Sequence, residues 1–169
     1  MIDKGYVLSM AHYNTWQNRQ LADIFGQMNE AEVIRDRGAF FGSIFGTVNH
    51  LLWGDTIWMS RWCRDIERPT GGIPESPHLT PTLGAWSAER FRLDGRILIW
   101  AETLRNIDLR GPLSWYSGAL KADVTRPLDL CVVHMFNHQT HHRGQIHAML
   151  TQAGATPPVS DLFAMPEPV

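Results

Sequence analysis

Three histidines have the residue type and the spacing to bind a transition-metal ion. They are His50, in the segment Thr47–Asp55, and His138 and His142, which lie four residues apart in the segment Asn137–Gln145. Residues at positions i and i+4 lie on the same face of an α-helix, so His138 and His142 can present their imidazoles to one ion. A third imidazole from another helix would complete a three-histidine site. Such a site keeps at least one coordination position open for water, substrate or thiolate.

Two more histidines lie near the same helix face. At about 100° per residue, His134 continues the ridge of His138 and His142, and His141 lies about 60° from His138. His147 lies about 180° from His138 and is expected to point elsewhere. The spacing alone therefore leaves His134 and His141 open as further ligands. A polar stripe at a subunit contact is the alternative interpretation of this pattern.

The string His138-Gln139-Thr140-His141-His142 is similar to the zinc-protease pattern H-E-x-x-H. That mechanism requires a carboxylate base at the second position of the pattern. Gln139 cannot accept a proton, so the sequence argues against a zinc peptidase. It also identifies no catalytic acid or base.

The composition is typical of a soluble globular protein. The chain has 169 residues, 44% of them hydrophobic and 19% charged, and residues 1–169 are expected to form one domain. Its net charge of −2 argues against a nucleic-acid partner. It contains no apolar run of about 18 residues, which argues against a membrane span. Cys63 and Cys131 fit no disulfide framework or zinc spacing, and no signal peptide is recognisable, so we expect a reducing cytoplasm.

Apolar periodicity predicts an all-α fold, a bundle of four helices. The predicted helices are Tyr6–Met28, Phe40–Ile66, a third from Leu83 or Ala85 to about Asn106, and a fourth from Pro127 to about Thr151.

The connections between these helices differ in composition. The charged segment Asn29–Gly38 reads as a connection, and the proline-rich segment Glu67–Pro81 predicts a long loop after the second helix. Gly111–Thr125 predicts irregular structure with a short hairpin between the third and fourth helices. The tail to Val169 is expected to be extended.

The second predicted helix carries an unusual ridge of small residues. Gly42, Gly46 and Gly54 lie at four-residue steps with His50, although glycine inside a helix costs about 1 kcal/mol relative to alanine. This cost suggests that a backbone, a side chain or a ligand approaches closely there. The helix is also apolar around most of its circumference, which predicts a central place in the bundle or between subunits.

Other side chains near these motifs allow more than one interpretation. We expect Trp53, Trp58 and Trp62 to be core residues rather than a substrate cage. Asp55 lies about 140° around the helix from His50, which argues against direct co-ligation. Arg143, next to a candidate ligand, is a candidate for attracting an anionic substrate.

Three segments resemble the DinB family, part of the wider DinB/YfiT-like group of metalloenzymes. They are Tyr13–Asn18, Thr47–Asp55 and His134–Gln145, and the resemblance covers nearly the whole chain. It implies a four-helix bundle, often a homodimer, that holds a divalent metal ion through three histidines. In this sequence the family's ligands fall on His50, His138 and His142, and not on His134 or His141.

The resemblance also suggests a reaction class. Relatives in the wider group include bacillithiol transferases and the mycothiol-dependent maleylpyruvate isomerase, in which the metal is thought to activate a low-molecular-weight thiol. The expected function is therefore metal-dependent thiol S-transfer to a small-molecule substrate. The alternatives are a metal-dependent hydrolase, a non-catalytic metal-binding protein of the stress response, and an interaction module without metal. Zinc or nickel is expected before iron or manganese, although all of them accept histidine. The family name refers to DNA-damage-inducible expression and not to DNA binding.

Overall fold

The computed structural model describes residues 1–167, which are mostly helical. In chain order, the elements are helix α1 (Lys4–Gln27), helix α2 (Glu30–Ile34), helix α3 (Ile44–Trp62), helix α4 (Leu83–Thr103), strand β1 (Pro112–Ser117), strand β2 (Ala122–Pro127) and helix α5 (Leu128–Gln152). Three short 3-10 turns lie at Ser76–His78, Asn106–Leu109 and Leu162–Ala164. None of the helices in this part of the chain has the length and apolar character needed to cross a membrane.

The four long helices pack on one another and enclose the core. α1 packs against α4 and α5, and α3 packs against α4, α5 and the 3-10 turn after it. α3 is buried on nearly all sides, as its apolar circumference predicts, and its Ile44, Val48 and Met59 are inaccessible to solvent.

A small antiparallel sheet makes the fold less than strictly all-α. β1 pairs with β2 from Pro112 opposite Pro127 to Ser117 opposite Ala122. This is the short hairpin that the segment Gly111–Thr125 predicts. It inserts between α4 and α5 in the chain, so the fold is mostly helical and a strict all-α class is not confirmed.

The second predicted helix, Phe40–Ile66, is too long at both ends. Gly42 has a φ of 75°, a left-handed conformation that ends any helical path from Phe40. Ser43 then caps α3, because its side chain accepts a hydrogen bond from the backbone N–H of Gly46. At the other end, Cys63 is already extended. Gly42 therefore lies outside the helix and does not belong to the predicted glycine ridge.

Smaller differences have local causes. The connection Asn29–Gly38 contains the five-residue helix α2, whose first N–H groups are capped by Asn29; so short a helix shows no periodicity. Pro127 ends β2 instead of entering the first turn of α5. The tail is not wholly extended, since it makes the 3-10 turn Leu162–Ala164, and Val169 lies outside the described residues.

The predicted long loop Glu67–Pro81 is present and is held against α3 by Asn49. The buried Asn49 side chain donates to the carbonyl of Pro77 at 3.1 Å. It also accepts hydrogen bonds from the N–H of Thr80 at 3.1 Å and from its hydroxyl at 2.8 Å. Because Asn49 directly precedes His50 in α3, these contacts hold the 3-10 turn Ser76–His78 beside His50.

Candidate metal centre

The structure brings together the three histidines that the sequence singles out. His50 projects from α3, and His138 and His142 project from one face of α5. The Nε2 atoms of His50 and His142 each lie 3.1 Å from Nε2 of His138. One ligand atom from each ring lies within 4.8 Å of the other two, and this cluster, called here the histidine trio, could hold a metal ion.

Hydrogen bonding fixes the tautomer of His50. Its Nδ1 lies 2.8 Å from the hydroxyl oxygen of Ser76. The single hydroxyl proton of Ser76 is already donated to the carbonyl of Ile73 at 2.6 Å, so the oxygen must accept from His50. His50 therefore carries its proton on Nδ1, and its Nε2 presents a lone pair to the other two histidines.

The same reasoning applies to His142, whose Nδ1 lies 2.7 Å from the amide oxygen of Gln145. An amide oxygen only accepts, so Nδ1 of His142 donates and its Nε2 also presents a lone pair. Nε2 of His138 lies between two such lone pairs and can donate a proton to only one of them. Hydrogen bonds therefore cannot satisfy both 3.1 Å contacts, whereas a cation between the three nitrogens can.

Two of the three nitrogen–nitrogen distances also match those around a metal ion. Two nitrogens that each lie about 2.0–2.1 Å from a zinc ion are about 3.3 Å apart at a tetrahedral angle and about 2.9 Å apart at a right angle. The two separations of 3.1 Å within the histidine trio lie between these values.

The histidine trio is electrically neutral at ordinary pH. Burial, reinforced by the neighbouring His142, lowers the pKa of His50 to about 3. The same two causes lower the pKa of His138 to about 3, and burial also lowers the pKa of His142. Metal ligation requires the unprotonated imidazole, so these shifts favour ligation.

The histidine trio lines a cavity of about 1120 Å³ with a largely aromatic wall. The ring of Phe41 stacks on His50 with a centroid separation of 3.8 Å. Trp53 and Trp58 of α3 and Trp115 of β1 also line the cavity. The expectation that the α3 tryptophans are core residues therefore holds only in part, since Trp53 is buried but also faces this space with Trp58.

The glycines of α3 allow close approach, and Gly54 leaves room for the imidazole of His138. A Cβ atom on Gly54 would lie 2.8 Å from Cε1 of His138, so any side chain at this position of α3 would displace the His138 ring. A Cβ atom on Gly46 would overlap the carbonyl oxygen of Phe41. The close approach predicted from the glycine ridge is therefore confirmed at Gly46 and Gly54.

Known proteins resemble this chain along most of its length. The sequence model of the DinB family matches residues 1–168. The chain belongs to the DinB family. The protein DinB of Bacillus subtilis (strain 168) is 26% identical over 157 residues, which cover 88% of this chain and 87% of that protein. The crystal structure of a DinB-like protein from Bacillus cereus ATCC 10987 matches with a TM-score of 0.65. The two are 17% identical over 87% of this chain and 90% of that one, a likeness that shows a shared fold.

In this DinB-family protein, the other three histidines of helix α5 are not part of the histidine trio. The His134 ring lies 6.1 Å from that of His138 and 5.1 Å from that of Trp58, on the cavity wall. Nε2 of His141 lies 3.3 Å from the amide nitrogen of Gln145 near the solvent. His147 does not line the cavity, which agrees with its position on the far side of the helix.

Beneath the histidine trio, the DinB-family helices are joined by a buried polar network. Asp55 on α3 lies 2.6 Å from the guanidinium of Arg90 on α4, and it accepts a hydrogen bond of 2.8 Å from the amide of Gln139 on α5. Arg90 also lies 2.8 Å from Asp94, whose carboxylate accepts from Asn18 on α1. All four long helices therefore contribute to the network. Asp55 takes part in it and not in the trio, as its angular position predicts.

Arg143 completes this network on the α5 side. It is buried and donates to the amide oxygen of Asn14, whose own amide nitrogen donates to Gln139. Its guanidinium also lies 5.3 Å from the ring centroid of Tyr13. The interpretation of Arg143 as an attractor for an anionic substrate is wrong, because the residue points into the core and away from the cavity.

Proposed function

We propose that this DinB-family protein is a metal-dependent thiol S-transferase in which His50, His138 and His142 hold a divalent transition-metal ion. The convergence of three imidazole nitrogens at the wall of a large cavity carries the proposal. Structural zinc sites are closed by four protein ligands, whereas catalytic sites have three and leave a position for water or substrate. Among the described residues, no fourth histidine, cysteine or carboxylate joins the histidine trio.

An ion held by three neutral imidazoles keeps its full 2+ charge and lowers the pKa of a thiol or water at the open position. The protein's own groups hold the ligands in place. Ser76 and Gln145 accept from Nδ1 of His50 and His142 and so orient both rings. Phe41, stacked on His50, shields that ring from water. Zinc or nickel is the expected ion, followed by iron or manganese.

The lining of the cavity favours thiol transfer over hydrolysis. Among residues 1–167, the cavity is lined by no aspartate or glutamate that could accept a proton from water. In thiol transfer, the thiol loses its proton, the sulfur bonds to an electrophilic carbon, and the leaving group departs with the bonding electrons. The divalent ion that His50, His138 and His142 would hold would supply the charge that favours loss of the thiol proton, and the cavity has room to position the electrophile.

The transferred thiol comes from a small molecule rather than from the chain. Cys131 lines the cavity, but burial raises the pKa of its thiol and keeps it protonated. The cavity volume of about 1120 Å³ is sufficient for a thiol and an electrophile together.

The decisive experiment combines metal analysis with a thiol-dependent assay. Untagged wild-type protein should contain nearly one metal ion per chain, and His50→Ala and His138→Ala should lose it, while the control His147→Ala keeps it. Metal-loaded wild type should then conjugate a chromogenic electrophile such as 1-chloro-2,4-dinitrobenzene to at least one low-molecular-weight thiol. Metal-free wild type that also fails to bind added zinc, nickel, iron(II) or manganese would refute the proposal.

The same experiment separates the other functions. Turnover of ester or amide substrates without thiol would indicate a hydrolase. Bound metal without any turnover, together with a Tm that falls on chelation, would indicate a non-catalytic metal protein. Homodimer formation stays a prediction, which sedimentation equilibrium can test.

A further inference from the structure

An arginine without an acidic partner among residues 1–167 lies on the cavity wall, away from the histidine trio. The guanidinium carbon of Arg61, near the end of α3, is 4.0 Å from the ring centroid of Trp58. It is also 5.0 Å from the ring centroid of Trp115 on β1. The two indoles flank the guanidinium and restrict its orientation, as cation–π contacts do.

Arg61 has hydrogen-bonding capacity that the protein leaves unused. Its Nη1 is buried and has no hydrogen-bond partner among residues 1–167. Within that range Arg61 forms no ion pair, although other half-buried arginines such as Arg37 do. Buried polar groups in proteins are nearly always paired, and a charged donor without a partner is costly. An ordered, unpaired guanidinium facing a cavity is the arrangement expected for an anion site.

The surroundings of Arg61 strengthen its attraction for anions. Arg68 and Arg126 line the same cavity, and the described lining contains no acidic residue. The chain as a whole carries a net charge of −2, so this concentration of positive charge is local. Burial and the nearby Arg68 lower the pKa of Arg61 to about 10, which leaves the guanidinium charged at neutral pH.

We propose that Arg61, supported by Arg68 and Arg126, binds the carboxylate or phosphate group of the substrate. The inference rests on the proposed function in one respect, namely that the other end of the substrate reaches the histidine trio. Arginine donates two parallel N–H groups that match both carboxylate and phosphate oxygens.

The position of Arg61 on α3 sets the shape of the ligand. Arg61 follows His50 by 11 residues, which corresponds to about three turns, so the two side chains share a face about 16 Å apart along the axis. The long Arg61 side chain leans back toward the N-terminus and lies over Trp58, in the direction of His50. Between them the wall consists of apolar groups, including Ile57 and Trp58. The substrate is therefore elongated, with an anionic head, an apolar or aromatic body, and a thiol or electrophile at the far end.

Simple amphiphiles test the anion site without metal. Octanoate, octyl phosphate and the neutral octanamide would be titrated calorimetrically into metal-free wild type, Arg61→Gln, Arg61→Lys and the control Arg92→Gln. Arg92 is an exposed α4 residue paired with Glu89, so its loss should not affect the cavity.

We expect wild type and Arg92→Gln to bind at least one anion more tightly than octanamide. Arg61→Gln should weaken that binding by about tenfold to a hundredfold, the usual value of a hydrogen bond to a charged group, and leave octanamide binding unchanged. Arg61→Lys should fall between the two. The tighter of the two anions identifies the head group.

Equal binding of the anions and octanamide by wild type would overturn the proposal, and so would undiminished anion binding by Arg61→Gln. The wild-type comparison remains decisive if the Arg61→Gln protein fails to fold. Because these titrations use metal-free protein, their result does not depend on whether the histidine trio binds a metal ion. Conversely, a metal-loaded protein without anion preference would refute only the anion site.

Discussion

Replacing Gly54 with alanine should damage the histidine trio while leaving the fold intact. The added Cβ would lie 2.8 Å from Cε1 and 3.3 Å from Nδ1 of His138. Carbon atoms in ordinary contact are about 3.5–4.0 Å apart, so the His138 ring must move by about 0.7 Å or more. Metal sites need their ligands within about 0.5 Å of the productive position.

Two opposing contributions determine the stability of this variant. Alanine stabilises a helix interior by about 1 kcal/mol relative to glycine. Overpacking costs about 1–3 kcal/mol. The free energy of unfolding of the metal-free protein should therefore fall by no more than about 2 kcal/mol. Zinc affinity should fall further, by about 10- to 100-fold, the range seen when the orientation of a histidine ligand is disturbed.

The assay is a competition titration of zinc against a chromophoric chelator, with urea denaturation of the metal-free protein in parallel. Gly95→Ala in α4 is the matched control, because a Cβ there would meet nothing within 4 Å. It should stabilise the protein by up to about 1 kcal/mol and leave zinc affinity unchanged. Wild-type zinc affinity in Gly54→Ala would refute the reasoning that this glycine makes room for the His138 ring.

Three further perturbations test neighbouring parts of the structure. Ser76→Ala removes the acceptor for Nδ1 of His50 and should weaken zinc binding by about tenfold or more in the same competition titration. Asp55→Asn removes one of the two buried carboxylates that pair with the guanidinium of Arg90, leaving Asp94, and should cost about 1.5–3 kcal/mol in urea denaturation. In contrast, Asp65→Asn, which removes an exposed ion pair, should cost less than about 1 kcal/mol. The pKa of His50 is lowered to about 3 in the folded protein, compared with about 6.5 for an unfolded histidine. Its neutral form therefore favours the folded metal-free protein above about pH 6.5, and this contribution to stability should be lost as the pH falls from there toward 3. Urea midpoints between pH 7.5 and pH 4 would measure this loss.

Each of these expectations can fail separately. Unchanged zinc affinity in Ser76→Ala would mean that the hydroxyl does not orient the His50 ring. Similar costs for Asp55→Asn and Asp65→Asn would mean that the buried network contributes no more than a surface ion pair. A urea midpoint independent of pH across this range would contradict the lowered pKa.

Regular spacing predicts the helices and the pair His138 and His142, whereas His50 is assigned as the third ligand through the resemblance to the DinB family. The four-residue step between His138 and His142 places them on one face in any α-helix, and apolar periodicity locates the long helices within a few residues. The start of α3 was harder to predict. The helix begins where it does because Gly42 is left-handed and Ser43 forms the cap. The apolar pattern continues back to Phe40 and gives no sign of either feature.

Tertiary features near the site could not be predicted in the same way. The acceptor for His50 is Ser76, which lies in a proline-rich loop far from any motif. Arg143 looks like a substrate-binding residue because it follows His142, yet only the packing of α1 shows that it faces Asn14. A signal for the buried network was present, since Asp55, Gln139 and Arg143 all lie within the segments that resemble the family. Spacing alone cannot tell a polar residue that binds substrate from one that joins helices.

The hairpin has a consequence for how such a protein can diversify. Its two ends, Pro112 and Pro127, pair directly with each other, and the N–H of Leu128 bonds to the carbonyl of Gly111 at 3.0 Å. The hairpin therefore leaves and rejoins the helices at a single point, while its Trp115 forms part of the cavity wall. A hairpin of different length or sequence can be exchanged there without moving α4 or α5. The histidine trio comes entirely from helices, so a changed hairpin would reshape the cavity wall around Trp115 while leaving the three imidazoles in place.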